Sequence, residues 1–138
     1  MIKAIMAIDD NGGVSRNGSM PWPKNSSDLK WFKKKTLDSV VIMGRLTWID
    51  PFMPTPLKDR INVLVTNQNE ENYSGADEYI AGNIIDNVLE LSNKYTNKDI
   101  YIIIYILYLL IFYKISTVKT FAPKFIASIF FSIQISIL

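Results

Sequence analysis

The chain has 138 residues, enough for one domain with a real core and too few for two. It contains no cysteine and no histidine, which removes thiol nucleophiles, disulfides, Cys/His metal sites and imidazole acid–base chemistry together. The net charge of +2 does not point to nucleic acid, because residues 1–99 hold 12 Lys and Arg against all 13 acids, and Lys33-Lys34-Lys35 reads as a solvated helix face. An enzyme built this way works with carboxylates, lysines, tyrosines, hydroxyls and water, or takes its reactivity from a cofactor. Freedom from cysteine fits a reducing cytoplasm. Met1-Ile2-Lys3 runs straight into a strand-like segment, with no signal-peptide pattern.

In chain order, Ile2 to Ile8 predicts a short buried strand, ended by the turn signal Asp9-Asp10-Asn11-Gly12-Gly13. Residues 12–19 form a glycine-containing loop, which Met20-Pro21-Trp22-Pro23 then stiffens. Ser26 or Ser27 is placed to N-cap a helix from about Asp28 to Thr36, with Leu29 and Phe32 on one face. Val40 to Met43 is β-branched and apolar, as in a central strand, and Gly44 ends it before a short helix from Arg45 to Ile49. Pro51, Pro54 and Pro56 make an irregular connection to a strand over Ile61 to Thr66 and a polar loop over Asn67 to Gly75. A short strand at Tyr79-Ile80-Ala81, a helix over Ile84 to Tyr95 and a strand over Ile100 to Ile103 complete an alternating pattern. That alternation predicts an α/β domain with a largely parallel sheet.

Four places along the chain carry chemistry. Asp28 falls in the first turn of a helix, where the dipole favours its ionised form. It is either a solvated helix-start carboxylate or, facing a cleft, an acceptor of paired hydrogen bonds from an amidine-like ring edge. Leu29 and Phe32 pack a core or wall a pocket for a flat ligand. Gly44-Arg45-Leu46-Thr47 sits where a strand passes into a helix, a place for an anion or for glycine-dependent packing, without a G-x-G-x-x-G or Walker pattern. Arg60, alone between loop prolines and a strand, is either exposed or a carboxylate clamp.

Together these residues resemble dihydrofolate reductase. The match runs from Ile2 to about Ile103 through A-I-D-D-N-G-G-V at 7–14, M-P-W at 20–22, D-L-K-W-F-K at 28–33, V-I-M-G-R-L-T-W at 41–48, P-L-K-D-R at 56–60 and D-I-Y-I-I at 99–103. The resemblance implies a mostly parallel central sheet flanked by helices and hydride transfer from NADPH to dihydrofolate, giving tetrahydrofolate. It implies a catalytic set of Asp28, Trp22 and Met20: the carboxylate for the pterin, the holder of an active-site water and the tip of a closing loop. Substrate contacts fall to Ile5, Ala7, Asp28, Leu29, Phe32, Arg60 and Ile103, with Arg60 on the glutamate carboxylate. Cofactor contacts fall to Ala7, Val14, Gly44, Arg45, Thr47, Leu64, Thr66 and Asn67. A cytoplasmic monomer is expected, with no metal and no nucleic acid partner.

Ser15 and Leu46 depart mildly from the family pattern. After D-I-Y-I-I the family has a Gly-Gly pair joined by a cis peptide; here Ile104 and Tyr105 stand in those places. A cis bond between non-proline residues costs about 3–4 kcal/mol. Residues 100–138 carry three lysines, no acid and no glycine, and are roughly 72% apolar. The organisation expected is therefore an incomplete reductase-like domain over 1–103 and an apolar, low-complexity tail over 104–138, without the family's normal closing strands. An interrupted reading frame near codon 104 is one account of the tail. A membrane-associating segment on a non-catalytic folate or nucleotide binder is another, although neither 14-residue apolar run reaches a membrane-spanning length. Exposed sheet edges would make the product poorly soluble. Ile133-Gln134-Ile135-Ser136-Ile137 nonetheless alternates like a strand.

Overall fold

The computed structural model describes residues 1–8, 10, 16, 23–69, 72–103 and the backbone of 132–137. Nine elements follow one another: β1 (Ile2–Ile8), α1 (Ser26–Thr36), β2 (Val40–Gly44), α2 (Arg45–Trp48), β3 (Ile61–Val65), β4 (Glu78–Ile80), α3 (Ile84–Lys94), β5 (Ile100–Ile103) and β6 (Ser132–Ile137). The six strands form one sheet in the order β4-β3-β2-β5-β1-β6, and every neighbouring pair is parallel. The fold class is the α/β arrangement that the alternating pattern predicts.

Parallel strands covered on both faces need apolar residues at successive positions, and β2 supplies them: Val40, Val41, Ile42 and Met43 are all fully buried. Alternate residues go to opposite faces. One face gathers Val40, Ile42, Val63, Ile100 and Ile102 under Val88 and Leu91 of α3. The other gathers Val41, Met43 and Leu64 under Trp48 of α2, with Leu57 and Tyr73 from the loops and Phe32 and Ile103 packed alongside.

The chain leaves β1, skips one strand position to β2, and continues outward to β3 and β4. It then returns to insert β5 between β2 and β1. The strand order reverses around β5, and in open α/β sheets ligands bind beyond the carboxyl ends of the strands at such a point.

Local chemistry corrects one element. The cap of α1 is Asn25, in extended backbone, whose side chain accepts from the N–H groups of Ser27 and Asp28. Ser26 and Ser27 therefore belong to the first turn rather than capping it. An asparagine one residue earlier reaches the same orphan donors, so the helix begins two residues before Asp28. Further along, β4 starts at Glu78, one residue ahead of the expected Tyr79. The alternation at Ile133–Ile137 does form a strand: β6 pairs with β1 from Lys3↔Ser132 to Ile8↔Ile137, so the tail covers an edge that β1 would otherwise present. Among the described residues no helix is long and apolar enough to cross a membrane.

Candidate functional site

Helix α1 lays out one side of the site. Asp28, Leu29, Phe32 and Thr36 recur at helical spacing, so they line one side of the helix over about 12 Å of its axis. Asp28, Leu29 and Phe32 are half-buried and Thr36 is fully buried. Phe32 leans on the core face that includes Met43 and Leu57. No cation among the described residues pairs with the Asp28 carboxylate. It is thus a half-buried acid at a helix start, where backbone dipoles support its charge.

At the other end of this line stands Arg60, half-buried rather than exposed. Its Nε donates to the Lys58 carbonyl at 3.0 Å and its Nη1 to Thr36 Oγ1 at 3.0 Å, while the guanidinium carbon lies 5.9 Å from the Phe32 ring centroid. Thr36 Oγ1 in turn donates to the Phe32 carbonyl at 2.9 Å. A guanidinium has five N–H donors, so these contacts orient it and leave most of the fork without a partner among the described residues. No carboxylate there forms an ion pair with it. Burial lowers its pKa from the usual arginine value, partly opposed by the charge of Asp59, yet a guanidinium stays protonated at neutral pH. A half-buried, oriented cation without an acid partner among the described residues has the donors to receive a carboxylate. A cleft of about 500 Å³ opens beside it, lined also by Leu37, Asp38, Ser39, Asp59, Ile61 and Lys98. That cleft lies at the amino ends of β2 and β3 and does not include Asp28.

The sheet supplies the floor. Ile5, 2% exposed, pairs in register with Ile103, so these two neighbouring side chains share the face on which Phe32 packs. Ala7 lies two residues further along β1 and is half-buried.

A second cluster forms at the carboxyl ends of β2 and β3. Gly44 has φ −81°, open to any residue, so what it offers is the absence of a side chain. No side chain caps α2, and its first N–H groups point past the end of β2. Arg45 and Thr47 are half-buried there. Thr66 Oγ1 accepts from the Gln68 N–H at 3.0 Å, which leaves its own O–H to donate, and Asn67 is exposed beside it. Leu64 is different: it is fully buried within the core and reaches no surface among the described residues.

Comparison with known proteins decides the family. The family model described as dihydrofolate reductase matches residues 1–112. The chain belongs to the dihydrofolate reductase family. Dihydrofolate reductase of Sus scrofa is 34% identical over 106 residues, covering 71% of this chain and 56% of that protein. The viral dihydrofolate reductase of Saimiriine herpesvirus 2 is 39% identical over 83 residues, 55% of this chain and 39% of its own length. A solved dihydrofolate reductase from Enterococcus faecalis, complexed with NADP(H) and RAB-propyl, superposes with a TM-score of 0.60 at 28% identity, covering 75% of this chain and 57% of that one. The chain thus spans little more than half the length of the mammalian relatives it matches. The family match also runs past Ile103, where the motif resemblance stops.

In this dihydrofolate reductase-family chain, α1 and the loop before β3 place Phe32 against Arg60 through Thr36, and β1 and β5 place Ile5 against Ile103. Met20, Trp22 and Val14 lie outside the described residues. Motif reading missed Thr36 and Asn62. Thr36 was visible in principle as the i+4 neighbour of Phe32. Asn62 was visible as the one amide in the apolar strand I-N-V-L-V.

Proposed function

We propose that this chain binds 7,8-dihydrofolate and reduces it to tetrahydrofolate with NADPH, as a cytoplasmic monomer. The observation that carries this reading is the line from Asp28 to Arg60. It offers a carboxyl group at one end, an aromatic wall at Phe32 in the middle and, at the other, an oriented cation without an acid partner among the described residues. Dihydrofolate has a complementary plan: an amidine-like pterin edge, a flat aminobenzoyl spacer and a terminal glutamate carboxylate.

In this reading Asp28 accepts the pterin amino group and ring N–H as a charge-assisted pair, fixing the ring over Ile5, Ala7 and Ile103. Leu29 and Phe32 hold the aminobenzoyl ring. Arg60 takes the α-carboxylate with the part of its fork that the protein does not use. The polar set at the ends of β2 and β3 fits a phosphate-bearing cofactor: open N–H groups after Gly44, the charge of Arg45, and hydroxyls of Thr47 and Thr66 with Asn67 alongside. The chemistry NADPH supplies when bound is the hydride. Within the chain, Asp28 is the acid–base group placed to support protonation of the pterin.

The test is dihydrofolate-dependent oxidation of NADPH by the purified full chain. Asp28→Asn should lower the rate by about 10² or more, in the range that acid–base groups contribute. Equal rates for the two proteins would refute the role of Asp28.

One observation favours a second reading, in which folate binding survives and turnover is impaired. Ile104 and Tyr105 follow Ile103 in the sequence where the family has Gly-Gly, side chains in place of the glycines that the family resemblance implies for a close backbone approach. Saturable folate binding without NADPH oxidation would select it.

A further inference from the structure

Asn62 is 2% exposed, on β3, on the same side of the sheet as Val41 and Met43. A buried primary amide is costly unless its donors and acceptor are all met. Here they are met by one stretch of chain. Asn62 Oδ1 accepts from the Leu57 N–H at 2.7 Å, and Nδ2 donates to the Leu57 carbonyl at 3.0 Å and the Arg60 carbonyl at 3.0 Å. The side chain therefore closes both ends of the turn that runs from Leu57 to Arg60. Asp77 holds Asn62 in place from outside, accepting its backbone N–H at 2.7 Å and returning a backbone bond to its carbonyl at 2.9 Å.

That turn resists its own conformation. Asp59 sits at φ +61°, a region where L side chains are disfavoured, and its carbonyl accepts from the N–H of Asp38, itself at φ +55°. Holding a non-glycine residue there requires surrounding bonds that over-determine it. Asn62 supplies three of them, two to Leu57, two residues before the strained position, and one to Arg60, directly after it.

We propose that Asn62 is a positioning residue for the anion site at Arg60: by fixing the Leu57–Arg60 turn it sets the height of the guanidinium over Phe32 and its reach toward Thr36. This rests on the reading of Arg60 as the carboxylate clamp. Asn62 touches no ligand in this scheme; its contribution is to keep the free edge of the fork aimed at one place.

The consequence is selective. Loosening the turn weakens binding of the terminal carboxylate and leaves the pterin end alone. The test compares folate with its α-carboxamide, which differ in a single charge, by calorimetric titration of the full chain. The proteins are wild type, Asn62→Ala, Asn62→Asp and Val63→Ala. Val63 is fully buried on the opposite sheet face, so its truncation matches the loss of stability without touching the turn. Asn62→Asp keeps the acceptor for Leu57, loses the bonds Nδ2 donates to Leu57, Arg60 and, at 3.4 Å, Asp77, and sets a carboxylate beside that of Asp77; it carries the test if the alanine variant fails to fold.

Wild type should prefer folate to the carboxamide by roughly tenfold or more, as a charge-assisted pair provides. Either Asn62 variant should reduce that preference to within about twofold, chiefly by weakening folate, while Val63→Ala preserves it. If wild type shows no preference, the clamp reading fails and the proposal with it. If wild type discriminates and the Asn62 variants discriminate equally, the proposal alone is overturned.

Discussion

At the scale of single residues, the chain's chemistry rests on groups that are charged and incompletely shielded. Asp28 and Arg60 stand out as candidates in the sequence, because motif and position agree: an acid in a first helical turn and an arginine after P-L-K-D. The residues that aim them were not, because a buried hydroxyl or amide shows its value only through partners distant in sequence. Thr36 is the clearest case, joining Arg60 Nη1 to the end of α1 across 24 positions. Thr36→Val keeps the shape, removes the acceptor and strands a half-buried guanidinium N–H. It also removes the hydroxyl that donates to the Phe32 carbonyl, so it should cost roughly 1–3 kcal/mol, read as a lower urea midpoint at unchanged slope. An unchanged midpoint would mean that water replaces the hydroxyl at no cost.

At the scale of elements, the strands and helices were legible from periodicity and their ends were less so. The apolar run Val40–Met43 announced a central strand, and the structure buries all four residues. The start of α1 was misplaced because three adjacent residues, Asn25, Ser26 and Ser27, are all good caps, and only backbone conformation decides among them. The junction of β1 with β5 was not foreseeable either. Lys3 of β1 hydrogen-bonds the carboxylate of Asp99, just ahead of β5, and the Met1 ammonium lies 3.4 Å from the same group. Burial pushes the Asp99 carboxyl up, but the hydrogen bonds and charges of Lys3 and the Met1 ammonium outweigh it and hold the group below the usual carboxylate range.

A depressed carboxyl stabilises the fold above its unfolded pKa, near 4, and that stability disappears as pH falls through the folded value. Lys3, whose pKa the bond to Asp99 raises, has the opposite sign: its contribution is complete below the usual lysine value and lost as pH rises through the raised one. Asp99→Asn should therefore be less stable than wild type at pH 7, and the gap should narrow toward zero on acidification below about pH 4. Urea midpoints from pH 7 to pH 3 would check this; a gap that is constant with pH would assign the loss to packing instead.

At the scale of the whole molecule, the fold is a parallel sheet whose strand order reverses at β5, with Ile5 and Ile103 at that reversal, Asp28, Leu29 and Phe32 along α1, and Arg60 just ahead of β3. The class and the family were legible because six motifs occur in order. The tail was legible only in part: the alternation at Ile133–Ile137 pointed to a strand, but not to its partner, and six tail residues pair with β1 in parallel register. Shortening the chain by residues 132–138 would remove those pairings and leave β1 as an edge strand. Exposed edges template association. The shortened protein should elute as larger species and scatter more light than the full chain at equal concentration, and identical elution profiles would show that the edge is protected in another way.

These scales meet in the claim that Asp28, Phe32 and Arg60 form one folate site. Calorimetric titration of the full chain with folate, wild type beside Arg60→Leu, tests it most directly. The account predicts saturable one-to-one binding to wild type and an affinity at least roughly tenfold weaker for Arg60→Leu, the loss expected for one charge-assisted pair. No saturable binding to wild type, or equal affinity in the two proteins, would contradict it.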